Sequence, residues 1–380
     1  MKKELSKRNI LEGINWRSSI MIFVLILVAI IFSILTKGIF LTSRNLTLLL
    51  RQTCILGVVS LGMVTIIITR NFDISIGSVV GLNATILAIL ILKFQWNIWL
   101  VIFTVILIGI VIGAWNGFLT AYVGVPSFVV TLGGMMLFRG AQLLVSNGAT
   151  ISISAETFKK IANDFFSPKV SLIIIIILFI ISLVSILVGR NSQKKYELRP
   201  SLSKTVIQII VILIIFGFLF YITFTYKGIP YPVAILAIIA VALNFILNKT
   251  RFGRRIYATG GNPNAATLSG IRTKRIVFQA FLLMGAMSGI GGIMLASRLG
   301  AATPDAGFGL EMDAIAAAVI GGASLFGGVG TIFGTIIGAL VLSSVDNGMS
   351  LLNISSSIQY VIKGLILIGA VSFDVRMRNK

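Results

Sequence analysis

The chain has no histidine and a single cysteine, Cys54. Histidine metal sites, imidazole proton relays, Ser-His-Asp triads and disulfide frameworks are thereby excluded. Acidic residues are scarce too: 11 Asp and Glu stand against 32 Lys and Arg, and charged residues make up 11% of the sequence. Soluble globular proteins carry about 25%. No stretch fits the G-x-x-x-x-G-K-S/T pattern that cradles nucleotide phosphates, so the chain is expected neither to bind ATP itself nor to be an enzyme. No cofactor is expected.

What fills the sequence instead is hydrocarbon. Hydrophobic residues make up 57% of the 380 positions, and mean hydropathy is +1.04. Apolar runs of about 20 residues recur along the whole length, which is the length that crosses a bilayer as a helix. The runs are continuous and do not alternate, which argues against a β-barrel. The fold class is therefore an all-α, polytopic membrane protein. Cys54 lies in one of these runs and reads as a small core residue. The net charge of +21 does not point to nucleic acid, because the basic residues flank apolar spans and form no aromatic-interleaved soluble patch.

Twelve spans are read, in one membrane domain covering 1–380: Ile20–Leu35, Thr47–Thr69, Ile74–Leu92, Ile98–Tyr122, Pro126–Ser146, Val170–Gly189, Thr205–Tyr226, Tyr231–Asn248, Ile276–Ser297, Met312–Leu325, Val329–Val345 and Ile358–Phe373. The first span lacks a small-residue cleavage site and is read as an uncleaved helix. An even number of crossings puts both termini on one side. With that topology 21 of the 32 basic residues fall on the side of the termini, 8 on the other and 3 within spans. The bias makes the terminal side cytosolic. The expected cytosolic parts include a basic lead (1–19), a loop (249–275) and a tail (374–380).

The loop has internal order. With Lys249, the segment to Arg275 holds seven basic residues and no acid. Gly260-Gly261 should break whatever precedes it. Asn262 suits an N-cap, and Pro263 suits the first helical position, where its missing N–H costs nothing. Asn264–Ser269 can form two turns, with Ala265, Ala266 and Leu268 giving a small apolar surface, and Gly270 is a natural stop. The plainer reading is a charged loop that fixes topology and touches lipid phosphates. The sharper reading is a short helix that docks a cytosolic partner.

Asp73-Ile-Ser-Ile-Gly-Ser and Met312-Asp313-Ala-Ile-Ala-Ala both follow a loop and open a helix of small residues. They open from opposite sides of the membrane, the pattern of an inverted repeat relating spans 2–5 to spans 9–12. Gly109, Gly113 and Gly117 share one helix face, Gly330, Gly334 and Gly338 another, and Gly285 and Gly289 form a further pair. Such faces serve close helix packing or, alternatively, a smooth translocation lining. Of the charges within or at the ends of spans, Arg139, Asp346 and Lys363 stand out. They are functional candidates, snorkelling anchors or members of a structural ion pair. Asn83, Asn116 and Gln142 are uncharged polar groups in spans, suited to hydrogen-bonding a passing polyol or to bonding across helices.

Four segments, Phe72–Ala88, Phe128–Gly148, Gly253–Arg275 and Asn347–Val371, resemble the ribose/xylose-type branch of ABC sugar permeases. The G-x-N-x-x-A-A-x-x-x-G-I pattern from Gly260 to Ile271 carries most of the specificity, and the extra central spans make the chain most similar to the longer, xylose-type members. The resemblance implies a bacterial inner-membrane permease of the vitamin B12-importer-like type. It implies import of a monosaccharide such as xylose by alternating access. It also implies a second permease copy (a homodimer), a cytosolic ATP-binding subunit, an extracytoplasmic sugar-binding protein and contact with membrane lipid. Gly261, Asn262, Pro263, Ala265, Ala266, Leu268, Gly270 and Ile271 would then couple to the ATPase. Asn147–Lys169 and Arg298–Glu311 would face the binding protein. A twelve-span ion-coupled secondary transporter is the alternative, and it would need intramembrane acids poised to take a proton or Na⁺, for which Asp346 and Asp313 are the candidates.

Overall fold

A helix that is apolar on every side is stable only where neighbours or lipid surround it. The run Ser43–Ile68 is such a helix, and every residue from Thr53 to Ile68 is buried in it. It is the axis of the fold in a computed structural model that describes residues 16–195 and 202–378. Most of the expected lead, the stretch 196–201 and the last two residues of the tail lie outside the described residues.

In chain order the helices are α1 (Trp16–Leu35), α2 (Ser43–Ile68), α3 (Ile76–Leu92), α4 (Ile98–Phe118), α5 (Ser127–Ser146), α6 (Glu156–Asn163), α7 (Pro168–Lys195), α8 (Leu202–Thr225), α9 (Tyr231–Lys249), α10 (Arg251–Gly261), α11 (Pro263–Leu268), α12 (Thr273–Leu299), α13 (Leu310–Ile320), α14 (Ile332–Leu351) and α15 (Ser356–Arg378). A two-residue antiparallel ribbon joins β1 (Ile151–Ser152) to β2 (Ala301–Ala302). Among the described residues seven helices are long and apolar enough to cross a membrane, and four more carry shorter apolar stretches. The chain is a multi-pass membrane protein.

The packing has a regular plan. α12 packs along α2, α3 and α4, while α2 packs along α12, α13 and α14. α3 packs on α4 and α5, just as α13 packs on α14 and α15. Glycine makes the closest of these contacts. A Cβ on Gly109 would stand 2.3 Å from the Gly285 carbonyl oxygen, and one on Gly113 would stand 2.3 Å from that of Phe281. On the other side, a Cβ on Gly338 would lie 2.0 Å from the Ala317 oxygen and one on Gly334 would lie 2.1 Å from that of Gly321. The small-residue faces at these positions are therefore helix-packing faces, not a lining. The opposite side of α4 exposes Trp99, Phe103, Leu107, Val111, Trp115 and Phe118, a stripe at helical spacing that suits lipid.

Several expectations need correction. The tenth span is α13, which has 11 residues. At 1.5 Å per residue it is about 16 Å long, roughly half of a ~30 Å hydrocarbon core. Gly321, Gly322, Gly327 and Gly328 follow it, and three of them have positive φ, which no helix continues. The eleventh span starts later and runs further than expected, so Asp346 lies inside α14 and not at its end. Gly260-Gly261 is itself helical, and the break falls just after the pair, where α10 ends at Gly261 and Asn262 is extended. The loop 249–275 is thus helical over most of its length. Finally, Arg298–Glu311 is not wholly a surface loop. Beyond β2 the chain turns inward against α3, where a Cβ on Gly81 would meet the Ala306 oxygen at 2.3 Å and one on Gly77 the Gly307 oxygen at 2.4 Å.

Candidate translocation path and coupling surface

α10 and α11 form a basic face at one end of the bundle. Asn262 caps α11 as its sequence suggests: its Oδ1 accepts the Ala265 N–H at 3.0 Å, and Pro263 occupies the first turn. Gly270 ends the segment with φ +79°. Ala266 is 4% exposed and turns inward, whereas Leu268 is 89% exposed. Gly261, Asn262, Ala265 and Gly270 are also exposed, and Pro263 and Ile271 are half-buried. The helix thus stands on Ala266 and presents Leu268 outward, an exposed apolar tip in a basic surround.

The base of this helix pair is tied to two other parts of the bundle. Arg70, just past the end of α2, donates from Nε to the Gly260 oxygen and from Nη2 to the Gly261 oxygen, each at 2.5 Å. The Gly328 N–H, in the connection between α13 and α14, donates to the Ile68 oxygen at 2.9 Å. Tyr257 on α10 donates its hydroxyl to the Gly330 oxygen at 2.7 Å. Burial raises the pKa of that phenol, which keeps the donor proton in place. Gly260 has no room for a side chain, since a Cβ there would fall 1.6 Å from the Ile68 oxygen. Displacing α10–α11 must therefore move the end of α2 and the α13–α14 connection. In the sequence Arg70 reads only as a topology charge; its one signal is its isolation at the end of an apolar span.

A belt of polar side chains lies near the other end of the bundle. Arg139 is seven residues before the end of α5, Lys363 seven after the start of α15, and Asp346 five before the end of α14. The helical rise puts all three about 8–10 Å below that rim. Lys363 Nζ stands 2.9 Å from Asp313 Oδ2 and 3.6 Å from Asp346 Oδ2. Arg139 donates to the Pro304 and Ala306 oxygens at 3.0 and 3.2 Å. Gln142 donates to the Thr303 and Pro304 oxygens, both at 3.1 Å, and accepts from Arg139. An irregular backbone segment, 303–309, is thereby satisfied at depth by two side chains of α5, as unpaired carbonyls in a membrane require.

Beside this segment is a cavity of about 270 Å³ lined by Phe308, Glu311, Asp313, Tyr360 and Lys363, among others. Phe308 and Tyr360 meet edge to face at 6.0 Å. The Arg139 guanidinium lies 5.5 Å from the Phe308 ring, and the Lys363 ammonium 5.4 Å from that of Tyr360. Aromatic faces and charged hydrogen-bonding groups converge on one small space. Phe308, Glu311 and Tyr360 were not singled out from the sequence, where they stand in a polar loop and an unremarkable span; Gly307 and Gly309 around Phe308 were the available signal.

Asn83 and Asn116 lie elsewhere, fully buried. Asn116 Nδ2 donates to Ser75 Oγ at 3.0 Å, and Ser75 in turn donates its hydroxyl and its N–H to Asp73 Oδ1. Asn83 sits where α3, α4 and α12 meet, and among the described residues neither of its polar atoms has a partner. At the rim above the belt lies α6, which buries Phe158 and Ala162 on one face. Ser297 of α12 fastens it, donating to the Phe158 oxygen at 2.8 Å and accepting from the Ala162 N–H at 2.9 Å. Arg51 of α2 donates to the Ala162 oxygen at 3.0 Å.

A bundle with irregular backbone held at depth, charges in mid-helix and a projecting basic helix pair has the form of a transport subunit, and the family comparison agrees. Residues 45–371 match the family described as branched-chain amino acid transport system / permease component. The chain belongs to this family. The permease is 40% identical over 371 residues to the xylose transport system permease protein XylH of Haemophilus influenzae, covering 97% of this chain and 99% of that protein. It is 39% identical over 379 residues to XylH of Escherichia coli, covering 97% and 94%. The ribose import permease protein RbsC of Escherichia coli is 32% identical over 354 residues, covering 93% and 92%. No solved structure matches the chain.

Proposed function

We propose that this permease carries a pentose, xylose by preference, as the membrane subunit of an ATP-driven importer of the vitamin B12-importer-like type. The observation that carries the reading is the near-full-length similarity to xylose permeases, joined to a short basic-flanked helix, α11, that exposes Leu268. That surface docks a separate ATP-hydrolysing subunit in the cytosol, with Leu268 as the apolar anchor. Both termini lie on the same cytosolic side, and the rim built by α6 and the ribbon receives an extracytoplasmic sugar-binding protein. The matched packing of α2–α5 and α12–α15 supports an inverted repeat, with α13 as a half-length crossing completed by the glycine-rich connection.

The sugar passes beside the polar belt. At about 270 Å³ the cavity lies just under the ~300–1,000 Å³ of typical ligand sites, which suits a small polyol. Phe308 and Tyr360 offer faces to the C–H side of a sugar ring, and Glu311, Asp313 and Lys363 offer hydrogen-bonding groups. A second copy of the permease closes the open side of this half-path, since charged groups this deep are not stable against lipid. Closure of the ATPases pushes α10–α11, and Arg70, Tyr257 and Gly328 pass the motion to α2 and α13. Alternating access follows from rocking one repeat against the other. The ion-coupled reading is weaker, because Lys363 already ion-pairs with both of the acids it would use.

Uptake of labelled xylose into proteoliposomes tests this. The chain alone should not transport, and the chain with its ATPase, ATP and binding protein should. Leu268→Glu should abolish ATPase association and uptake together. Uptake by the chain alone under an ion gradient would replace the proposal with a secondary transporter.

A further inference from the structure

On the basic face, beside α10 and α12, is a cavity of about 920 Å³. Its mouth carries four guanidiniums, Arg251, Arg255, Arg272 and Arg275. Among the described residues none of these four has a hydrogen-bonded or ion-pair partner, and no lining residue is acidic. Apart from Gln279, one turn below Arg275, the side chains of the remaining wall are apolar, Ile246, Phe252, Ile276, Leu283 and Ala286 among them. Arg275 and Ala286 are 11 residues apart on α12. The cavity therefore descends about 16 Å along a spanning helix, close to the depth of one leaflet of a ~30 Å core.

Charge at the top and hydrocarbon below, over one leaflet's depth, is the profile of a phospholipid with an anionic headgroup. We propose that this cavity binds an anionic diacyl phospholipid, with its phosphate among the four arginines and an acyl chain along Leu283 and Ala286. An unpaired arginine cluster is a strong phosphate receptor, because each planar fork can bind two oxygens. A docked ATPase is the other occupant to consider for the arginines. A soluble protein surface would leave the apolar wall unfilled, however, and the exposed tip at Leu268 is not part of the cavity. Anionic lipid would thus wedge the base of α10–α11 against α12, beside the surface that couples to the ATPase.

Native mass spectrometry of the full chain in neutral detergent, with phosphatidylglycerol or phosphatidylcholine added, tests the site. Phosphatidylglycerol should be retained at least tenfold better. The variant Arg251→Gln/Arg255→Gln/Arg272→Gln should lower its affinity on the order of 100-fold, at roughly fivefold per basic group near an anionic headgroup. Lys249→Gln/Arg254→Gln/Lys274→Gln removes the same charge outside the cavity and should change it less than tenfold. Ala286→Trp fills the apolar wall and should weaken phosphatidylglycerol about tenfold with all the arginines in place, so the site stays testable if the arginine variant fails to fold. Equal retention of the two lipids, equal effects of the two triple variants, or displacement of phosphatidylglycerol by millimolar inorganic phosphate would overturn the proposal. Loss of ATPase association in lipid-free detergent, with lipid retention unchanged by the arginine variant, would assign the arginines to the protein partner instead.

Discussion

Replacing Arg70 should separate stability from coupling. The side chain makes two charge-assisted bonds, to the Gly260 and Gly261 oxygens, each at 2.5 Å. Such bonds contribute about 1.5–3 kcal/mol each when buried. One is only half-buried and the other exposed, so we discount the pair to about 2 kcal/mol. Arg70 also holds φ +65°, the left-handed region, which costs an L residue about 1–2 kcal/mol and glycine almost nothing. Arg70→Ala keeps that strain and loses the bonds, so it should destabilise by about 2 kcal/mol. Arg70→Gly loses the bonds and relieves the strain, so it should destabilise by about 1 kcal/mol or less. If the bonds transmit motion from the coupling helices, both variants lose about 2 kcal/mol of coupling, which is up to about 30-fold in sugar transported per ATP. Thermal melts in detergent give the stability half, and paired uptake and hydrolysis assays on the reconstituted complex give the other. Uptake per ATP unchanged in both variants, with the Ala variant less stable, would reduce Arg70 to a structural cap.

Gly113→Leu should prevent α4 and α12 from closing, at about 1–3 kcal/mol or more, and lower the yield of monodisperse protein on size exclusion; Gly133→Leu, with nothing within 4 Å of its Cβ position, should behave like the parent. Lys363→Met leaves Asp313 and Asp346 without their cation. A fully buried broken pair costs about 3–5 kcal/mol; these carboxylate side chains are 17% and 30% exposed, so a smaller loss is expected in a thermal melt, largely recovered by adding Asp313→Asn and Asp346→Asn. Asn262→Ala removes the cap of a six-residue helix and should cost about 1 kcal/mol locally. It would be read as faster hydrogen exchange at Ala265 and weaker ATPase association, with Asn262→Ser restoring both.

The sequence alone was enough for the membrane class, nearly all helix positions and the capped helix Pro263–Leu268. Those features depend on local chemistry: apolar length, N-cap geometry at Asn262 and a left-handed stop at Gly270. The family resemblance was legible in the same stretch. The roles of individual polar residues were not, because a side chain's partner is set by which distant helix reaches it. Lys363 finds Asp313 across 50 positions and Arg70 finds Gly260 across 190. The glycine faces could have been packing or lining until α4 met α12 and α13 met α14. Hydropathy placed a span at Met312–Leu325, but it measures composition and not reach. Only the packed structure decided that α13 begins inside the bundle at Leu310, after backbone carbonyls at 303–306 held by Arg139 and Gln142, and stops at Ile320, before the left-handed Gly322.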